Sequence, residues 1–232
     1  MEPEAERSLV MQGDGTVNLD YEACLHRYLF RPLSYIDESW LEHISHAEHI
    51  SKLPDWRNNP RLNEWFLAAA GLDPLLVAEF SHPVRFIALL PTEELRLLLH
   101  YIGVSLHRQS CKQVILRSPR QQLLRRMGEA GYQFCMHQAL FLLSNWPDGW
   151  AKALPESIPV NHFEACGIRF VAALLEPSQL DSIKGLKLKL PYELNAFFTS
   201  THDVKIADRL LAYQLIKKIS KRVIPQCFHL LK

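Results

Sequence analysis

The sequence predicts an all-α fold: a compact multi-helix single domain with a mobile N-terminal tail. Three observations carry that prediction. Glycine is scarce, at 9 of 232 residues, whereas a β-sandwich needs many glycine-containing turns. Apolar residues recur at the i, i+3, i+4 spacing of helices, between residues that start and stop helices. Hydrophobic residues make up 48% of the chain, enough for a sizeable core at this length.

Residues 1–18 hold Pro3, Gly13, Gly15 and several acids with little periodicity, and they read as a flexible tail ahead of a helical domain over 19–232. Asp20 caps a helix through Leu25, Tyr28 and Leu29 that Pro32 stops. Asp37 caps a second, with Trp40, Leu41, Ile44 and Ala47 on one face. Asn59-Pro60 is an N-cap followed by proline at the first helical position. Leu62, Trp65, Phe66 and Ala69 then form a stripe ending at Gly71, and Asp73-Pro74 repeats the start signal.

Thr92 opens a helix with Glu93 and Glu94 in its first turn, where the helix dipole favours acids. Leu95, Leu98, Leu99, Ile102 and Leu106 are its core face. Gly103 inside that run marks either a close helix approach or a bend, since glycine there costs about 1 kcal/mol against alanine. Ser118-Pro119-Arg120-Gln121 reads as a capping box opening a helix that Gly128 ends. A core helix follows over Tyr132–Leu143, then a turn-rich linker with Trp146 and Trp150. Asn161 with Glu164 is another box, opening a helix through Phe163, Cys166 and Phe170. Leu186–Leu190, LKLKL, is the one strict apolar alternation, a short strand or an extended connector. Ser200 with Asp203 starts a last helix striped by Val204, Ala207, Leu211, Leu215 and Ile219, which Pro225 ends.

Charge is unevenly spread. Residues 1–116 carry ten basic and 16 acidic side chains, a net −6, and residues 117–232 carry 16 and nine, a net +7. Such a split suits electrostatic docking or two faces for different partners. The five cysteines (24, 111, 135, 166 and 227) are odd in number and form no CxxC pair, so they read as small hydrophobes in a reducing compartment. The acidic N-terminus lacks the apolar core of a signal peptide, and no apolar run is long enough to span a membrane.

Few residues suggest chemistry. His43, His46 and His49 are spaced by three but lack a zincin motif, and surface histidines explain them. His202-Asp203 is the dipeptide of HD-type metal-dependent phosphohydrolases. The only later acid is Asp208, one turn on, so Asp203 as part of a helix start explains the pair more simply. Cys111 and Cys135 have His107 and His137 nearby, but such a pair is recognised in space rather than along the chain. No nucleotide-binding or nucleophile-elbow motif is present, and the basic last helix lacks the aromatic interleaving of a nucleic-acid surface. The sequence therefore assigns no catalytic, cofactor-binding or metal-ligating residue, no cofactor and no nucleic-acid partner. Trp56, Trp146 and Trp150 in connectors read first as core filler between helices and second as partner-contacting anchors, and Lys217, Lys221 and Arg222 at the basic helix end are the other candidate partner-contacting residues.

Four stretches carry a resemblance: PDWRNNPRLNEWFL at 54–67, residues 97–124 with Gly103, Leu106, Ser118-Pro119 and Gln121–Leu124, NWPDGWAKALP at 145–155, and KRVIPQCFHLLK at 221–232. Together they resemble the K subunit of type III secretion systems, the SctK/YscK family. The resemblance implies a non-enzymatic, all-helical adaptor of the sorting platform beneath the injectisome, with a role in virulence-associated protein transport. It implies a place in the bacterial cytoplasm at the cytoplasmic face of the inner membrane, held there through partners. Those partners would be the cytoplasmic domain of the inner-membrane ring D subunit and the pod Q subunit, with the L subunit a third candidate. Other readings are a secretion chaperone, a generic helical scaffold or, less readily, a metal-dependent phosphohydrolase using His202-Asp203.

Overall fold

The computed structural model describes residues 9–11, 17–72, 85–175, 184–198 and 206–231. Within the stretch that the sequence marks as a tail, β1 (Leu9–Met11) pairs antiparallel with β2 (Val17–Leu19), Leu9 opposite Leu19. All other regular structure among the described residues is helical, as the all-α class requires. The α-helices are α1 (Tyr21–Phe30), α2 (Pro60–Ala69), α3 (Thr92–Leu106), α4 (Arg108–Lys112), α5 (Arg117–His137), α6 (His162–Ala172), α7 (Lys184–Leu188) and α8 (Ile206–Val223). The chain forms two compact units, each built from separate segments. The first draws on Met1–Leu95, Leu175–Ala196 and Pro225–Lys232, the second on Arg96–Leu174 and Phe197–Ile224.

In the first unit, two starts lie where the caps place them. Asp20 accepts from the Glu22 amide at 3.2 Å, and Asn59 accepts from the amides of Arg61 and Leu62 at 3.0 and 3.2 Å. Gly71 follows α2 at φ +61°, the left-handed position that its C′ role needs. The stripe expected on α2 is corrected. Asn63 and Phe66 are its buried residues, while Trp65 is 37% exposed. The Asn63 amide explains the rotation: it accepts from the Leu33 amide at 3.0 Å and donates to the carbonyls of Arg57 and Asn59. Leu33 is fully buried in a short 3-10 turn, and a buried backbone group must find a partner somewhere.

Asp37 caps only a 3-10 helix, Glu38–His43, and His46 adopts φ +65° beyond it. The helix expected through Ala47 therefore does not form. The 37–40 segment is tied instead to 188–192: the Asp37 amide donates to Leu188 O at 2.8 Å and the Trp40 indole to Leu190 O at 2.7 Å. The LKLKL alternation is likewise corrected: its first three residues, 186–188, end α7, and Lys189 and Leu190 form the turn after it. Leu186, Leu188, Leu190 and Lys189 are all buried, and Gly185 lies flat against the rings of Tyr28 and Tyr35. An isolated strand there has no ladder partner, whereas a helical turn satisfies its own backbone. The Lys189 ammonium donates to Ala88 O and Leu90 O at 2.6 Å each and lies 4.9 Å from the Tyr35 ring. Burial lowers its pKa to about 7.

The second unit is built on the predicted core face of α3: Leu98, Leu99 and Ile102 are at most 1% exposed. Gly103 marks the close approach rather than a bend. A Cβ there would overlap Phe163 O, and one at Gly167 on α6 would overlap Leu99 O. The two helices thus meet backbone to backbone, with each glycine under the other helix's carbonyl. Glu164 forms no capping box with Asn161. It is buried and holds Arg96 of α3 through two bonds of 2.9 and 3.2 Å. Ser118 does not cap α5 either. That helix starts at Arg117, and Pro119 falls within the first turn, where a missing N–H leaves no ladder bond unmade. Gly128 breaks α5 at φ +73°, ψ +163°, a region glycine alone enters readily, as its expected helix-ending role demands. The helix expected to reach Leu143 stops at His137 and continues only as a 3-10 turn, Ala139–Phe141. On α8, Ala212, Leu215, Ile216 and Ile219 are buried, while Ser200, Asp203 and Val204 lie outside the described residues.

Two measurements check these packing arguments. Gly167→Ala forces the Leu99 carbonyl away and should cost about 1–3 kcal/mol or more in urea unfolding. Gly131→Ala, whose Cβ would meet Met127 and His100 at ordinary distances of 3.4 and 3.5 Å, should be neutral or gain up to about 1 kcal/mol. Lys189 adds a pH signature. Folding lowers its pKa from 10.5 to about 7, so between those values the unfolded chain binds the extra proton and stability rises with pH. Relative to Lys189→Met, the wild type should gain up to about 1.4 kcal/mol per pH unit from pH 7 to 10, with no further relative change below about 6.

Candidate functional site

The six partner-contacting candidates divide into two kinds. Trp56 is 8% exposed, with the Arg57 guanidinium 4.3 Å over its ring. Trp150 is 6% exposed and meets Trp146 and Phe170 edge to face, at 6.3 and 5.0 Å. Trp146 is half-buried beneath the Arg108 guanidinium, 3.4 Å from its ring centroid. Of their two sequence readings, Trp56 and Trp150 therefore take the core-filling one, as interior packing of their own units. An indole beside proline in a connector is pulled inward because it buries more apolar area than its neighbours. Lys217, Lys221 and Arg222 are exposed near the end of α8. Arg222 donates to Gln138 O at 3.3 Å, and the neighbouring Lys218 donates to Leu142 O at 2.8 Å.

The three evenly spaced histidines do not converge, since the 3-10 geometry and the turn at His46 splay them. His43 stacks on Tyr192 at 3.4 Å and His49 faces Glu48 at 3.8 Å. His202 and Asp203 lie outside the described residues. Cys111 and Cys135 are both buried, the Cys135 thiol donating to Val104 O at 3.8 Å, and their mutual interaction raises the Cys111 pKa and lowers that of Cys135. His107 is not directed at Cys111 but into a different cluster.

That cluster lies on a cavity of about 400 Å³ within the second unit, whose wall includes His107, Lys152, His162, Cys166, Arg169 and Asp208. Three of its lining residues flank the glycine crossing. His107 is one turn beyond Gly103 on α3, His162 is the first residue of α6, and Cys166 directly precedes Gly167. The connector between them is held in place by the Lys152 amide donating to Leu106 O at 2.9 Å and the Ser110 hydroxyl donating to Lys152 O at 2.8 Å.

His107 is 1% exposed, and its Nδ1 lies 2.8 Å from Gly103 O. A carbonyl only accepts, so Nδ1 carries the proton and Nε2 presents a lone pair. That lone pair accepts from the Nε2–H of His162 at 3.1 Å, and Cys166 Sγ lies 3.9 Å from the same His162 nitrogen. Burial holds His107 down to about 4, against its bond to Gly103. Burial and then Arg169 lower His162, and burial raises Cys166. Both imidazoles are therefore neutral at pH 7, and three potential donor atoms converge. Sequence reasoning assigned none of the three a role. The His162-x3-Cys166 spacing, one helical turn, was the only local signal; the third member comes from 55 residues away.

Comparison with known proteins points one way. The family model described as "YOP proteins translocation protein K (YscK)" matches residues 23–232. Two relatives named Yop proteins translocation protein K, from Yersinia enterocolitica and Yersinia pseudotuberculosis, are each 33% identical over 180 residues, covering 78% of this chain and 84% of theirs. The solved cytoplasmic domain of the T3SS sorting platform protein PscK from P. aeruginosa superposes with a TM-score of 0.65 at 28% identity, over 88% of this chain and 97% of that one.

The assignment of the indoles to the interior has a direct check. Trp150→Ala should lower unfolding stability by about 3–5 kcal/mol, as for a core aromatic. Lys217→Glu with Lys221→Glu should stay within about 0.5 kcal/mol per site. An indole serving only as a surface anchor would leave stability unchanged.

Proposed function

The chain belongs to the YOP proteins translocation protein K (YscK) family, and on that premise we propose that it is a non-enzymatic adaptor of a type III secretion sorting platform, joining the cytoplasmic domain of the inner-membrane ring D subunit to the pod Q subunit. The observation that carries the reading is the extent of the match. It runs from residue 23 to 232, through segments of both compact units, and PscK, described as a sorting platform protein, shares the fold over nearly its whole length. The names of the relatives describe translocation and a sorting platform rather than a reaction.

The surface suits such a role. Ile115, Leu116, Phe141, Val160 and Leu210 are 69–88% exposed, well beyond what packing within one chain explains. Lys217, Lys221 and Arg222 add a cationic helix end, which attracts an acidic partner and sets its orientation more than its affinity. In this reading the adaptor reaches the cytoplasmic face of the inner membrane through its partners, and no helix among the described residues is long and apolar enough to cross a membrane. The L subunit is the further partner in this reading.

The test is a pull-down of the full chain against the D cytoplasmic domain and against Q. Binding to both is expected. Leu116→Asp should weaken one partner by about tenfold or more, and Lys217→Glu with Lys221→Glu should slow association in a salt-dependent way. Failure to bind either subunit, together with normal secretion after deletion of the gene, would remove the adaptor reading.

A further inference from the structure

We propose that His107, His162 and Cys166 bind a zinc-class transition-metal ion that clips the end of α3 to the start of α6. This site is independent of the adaptor reading. One donor atom from each of the three residues lies within 4.8 Å of the other two. Zinc–nitrogen bonds of about 2.0–2.1 Å and a zinc–sulfur bond of about 2.3 Å, at tetrahedral angles, place neighbouring nitrogens about 3.3 Å apart and nitrogen from sulfur about 3.6 Å. The chain presents 3.1 Å between the two imidazole nitrogens and 3.9 Å from His162 to the sulfur. Those two separations need side-chain adjustments of only a few tenths of an ångström, and the third, from His107 to the sulfur, lies within 4.8 Å and closes as the half-buried Cys166 side chain turns inward.

Three further features favour an ion over a bare hydrogen-bonded pair. Gly103 O already fixes the His107 ring through Nδ1, the outer hydrogen bond that metal-ligating histidines need. His162 and Cys166 sit one turn apart on α6, so a helix rather than a loop sets their separation. His162 and Cys166 are half-exposed and line the cavity with Asp208, leaving an entry path and room for a fourth ligand, water or carboxylate. The donor set of two imidazoles and a thiol selects zinc, cobalt or copper over magnesium and calcium, which require oxygen ligands. Binding moves the His162 proton from Nε2 to Nδ1 and releases the Cys166 thiol proton to solvent. Lys152 and Arg169 on the same wall oppose a cation, while Asp148, Asp208 and the new thiolate offset them.

The test uses the full chain, stripped with a chelator and kept reduced with a phosphine, and titrated first with Co²⁺ and then with Zn²⁺. One cobalt per chain is expected, with tetrahedral ligand-field bands and a thiolate-to-cobalt charge-transfer band that zinc abolishes. Zinc should also raise the melting temperature. Cys166→Ser should lose the charge-transfer band, His162→Ala should weaken binding by about tenfold or more, and Cys111→Ala should keep the spectrum. A wild-type chain that takes up no stoichiometric cobalt or zinc overturns the proposal however the variants behave. So does a charge-transfer band that persists in Cys166→Ser.

Discussion

Where α3 crosses α6, each helix gives up a side chain so that the other's backbone can come close. Gly103 faces Phe163 O and Gly167 faces Leu99 O, and neither position has room for a Cβ. Helices in such contact have little freedom to slide or rotate. The ion pair between Arg96 and the buried Glu164 sets the same register one or two turns away. The position of every other side chain between these helices follows. His107 and Cys166 converge with His162 because each is within one turn of a glycine that cannot move.

The first unit is held together differently. Its helices are short and much of its chain is 3-10 or irregular, so many backbone groups have no helical partner. Side chains supply the partners instead. Asn63 serves three backbone groups, Arg57 donates to Leu33 O and Ile36 O, and Lys189 to Ala88 O and Leu90 O. A buried lysine is a costly way to satisfy two carbonyls, and its lowered pKa records that cost. The unit is consequently sensitive to single polar substitutions, whereas the second unit is sensitive to volume at its helix crossing.

Under the adaptor reading proposed above, surfaces matter more than a reaction centre. The packing separates the two demands. The indoles at positions 56 and 150 stiffen the units from within, and smaller apolar side chains such as Ile115 and Leu116 are left exposed. A metal clip on the α3–α6 crossing would serve the same end, since a rigid scaffold binds partners with less ordering cost.

The all-α class, the starts at Asp20 and Asn59, the break at Gly128 and the core face of α3 were legible in the sequence. Each depends on interactions within about one turn of chain: caps, proline and glycine backbone preferences, and the helical repeat. The family was legible too, because its motifs are those same packing and turn residues. The capping box at Asn161 misled because a distant partner, Arg96, claims the Glu164 that would complete it, and the one at Ser118 because α5 already starts at Arg117. The LKLKL alternation misled because period two fixes a strand only when another strand is present to pair with it. The roles of His107, Lys189 and Trp150 were decided by tertiary structure alone. What each side chain does depends on a group about 20 to 100 residues away (Phe170 for Trp150, His162 for His107, Ala88 for Lys189), and local periodicity carries no record of that distance.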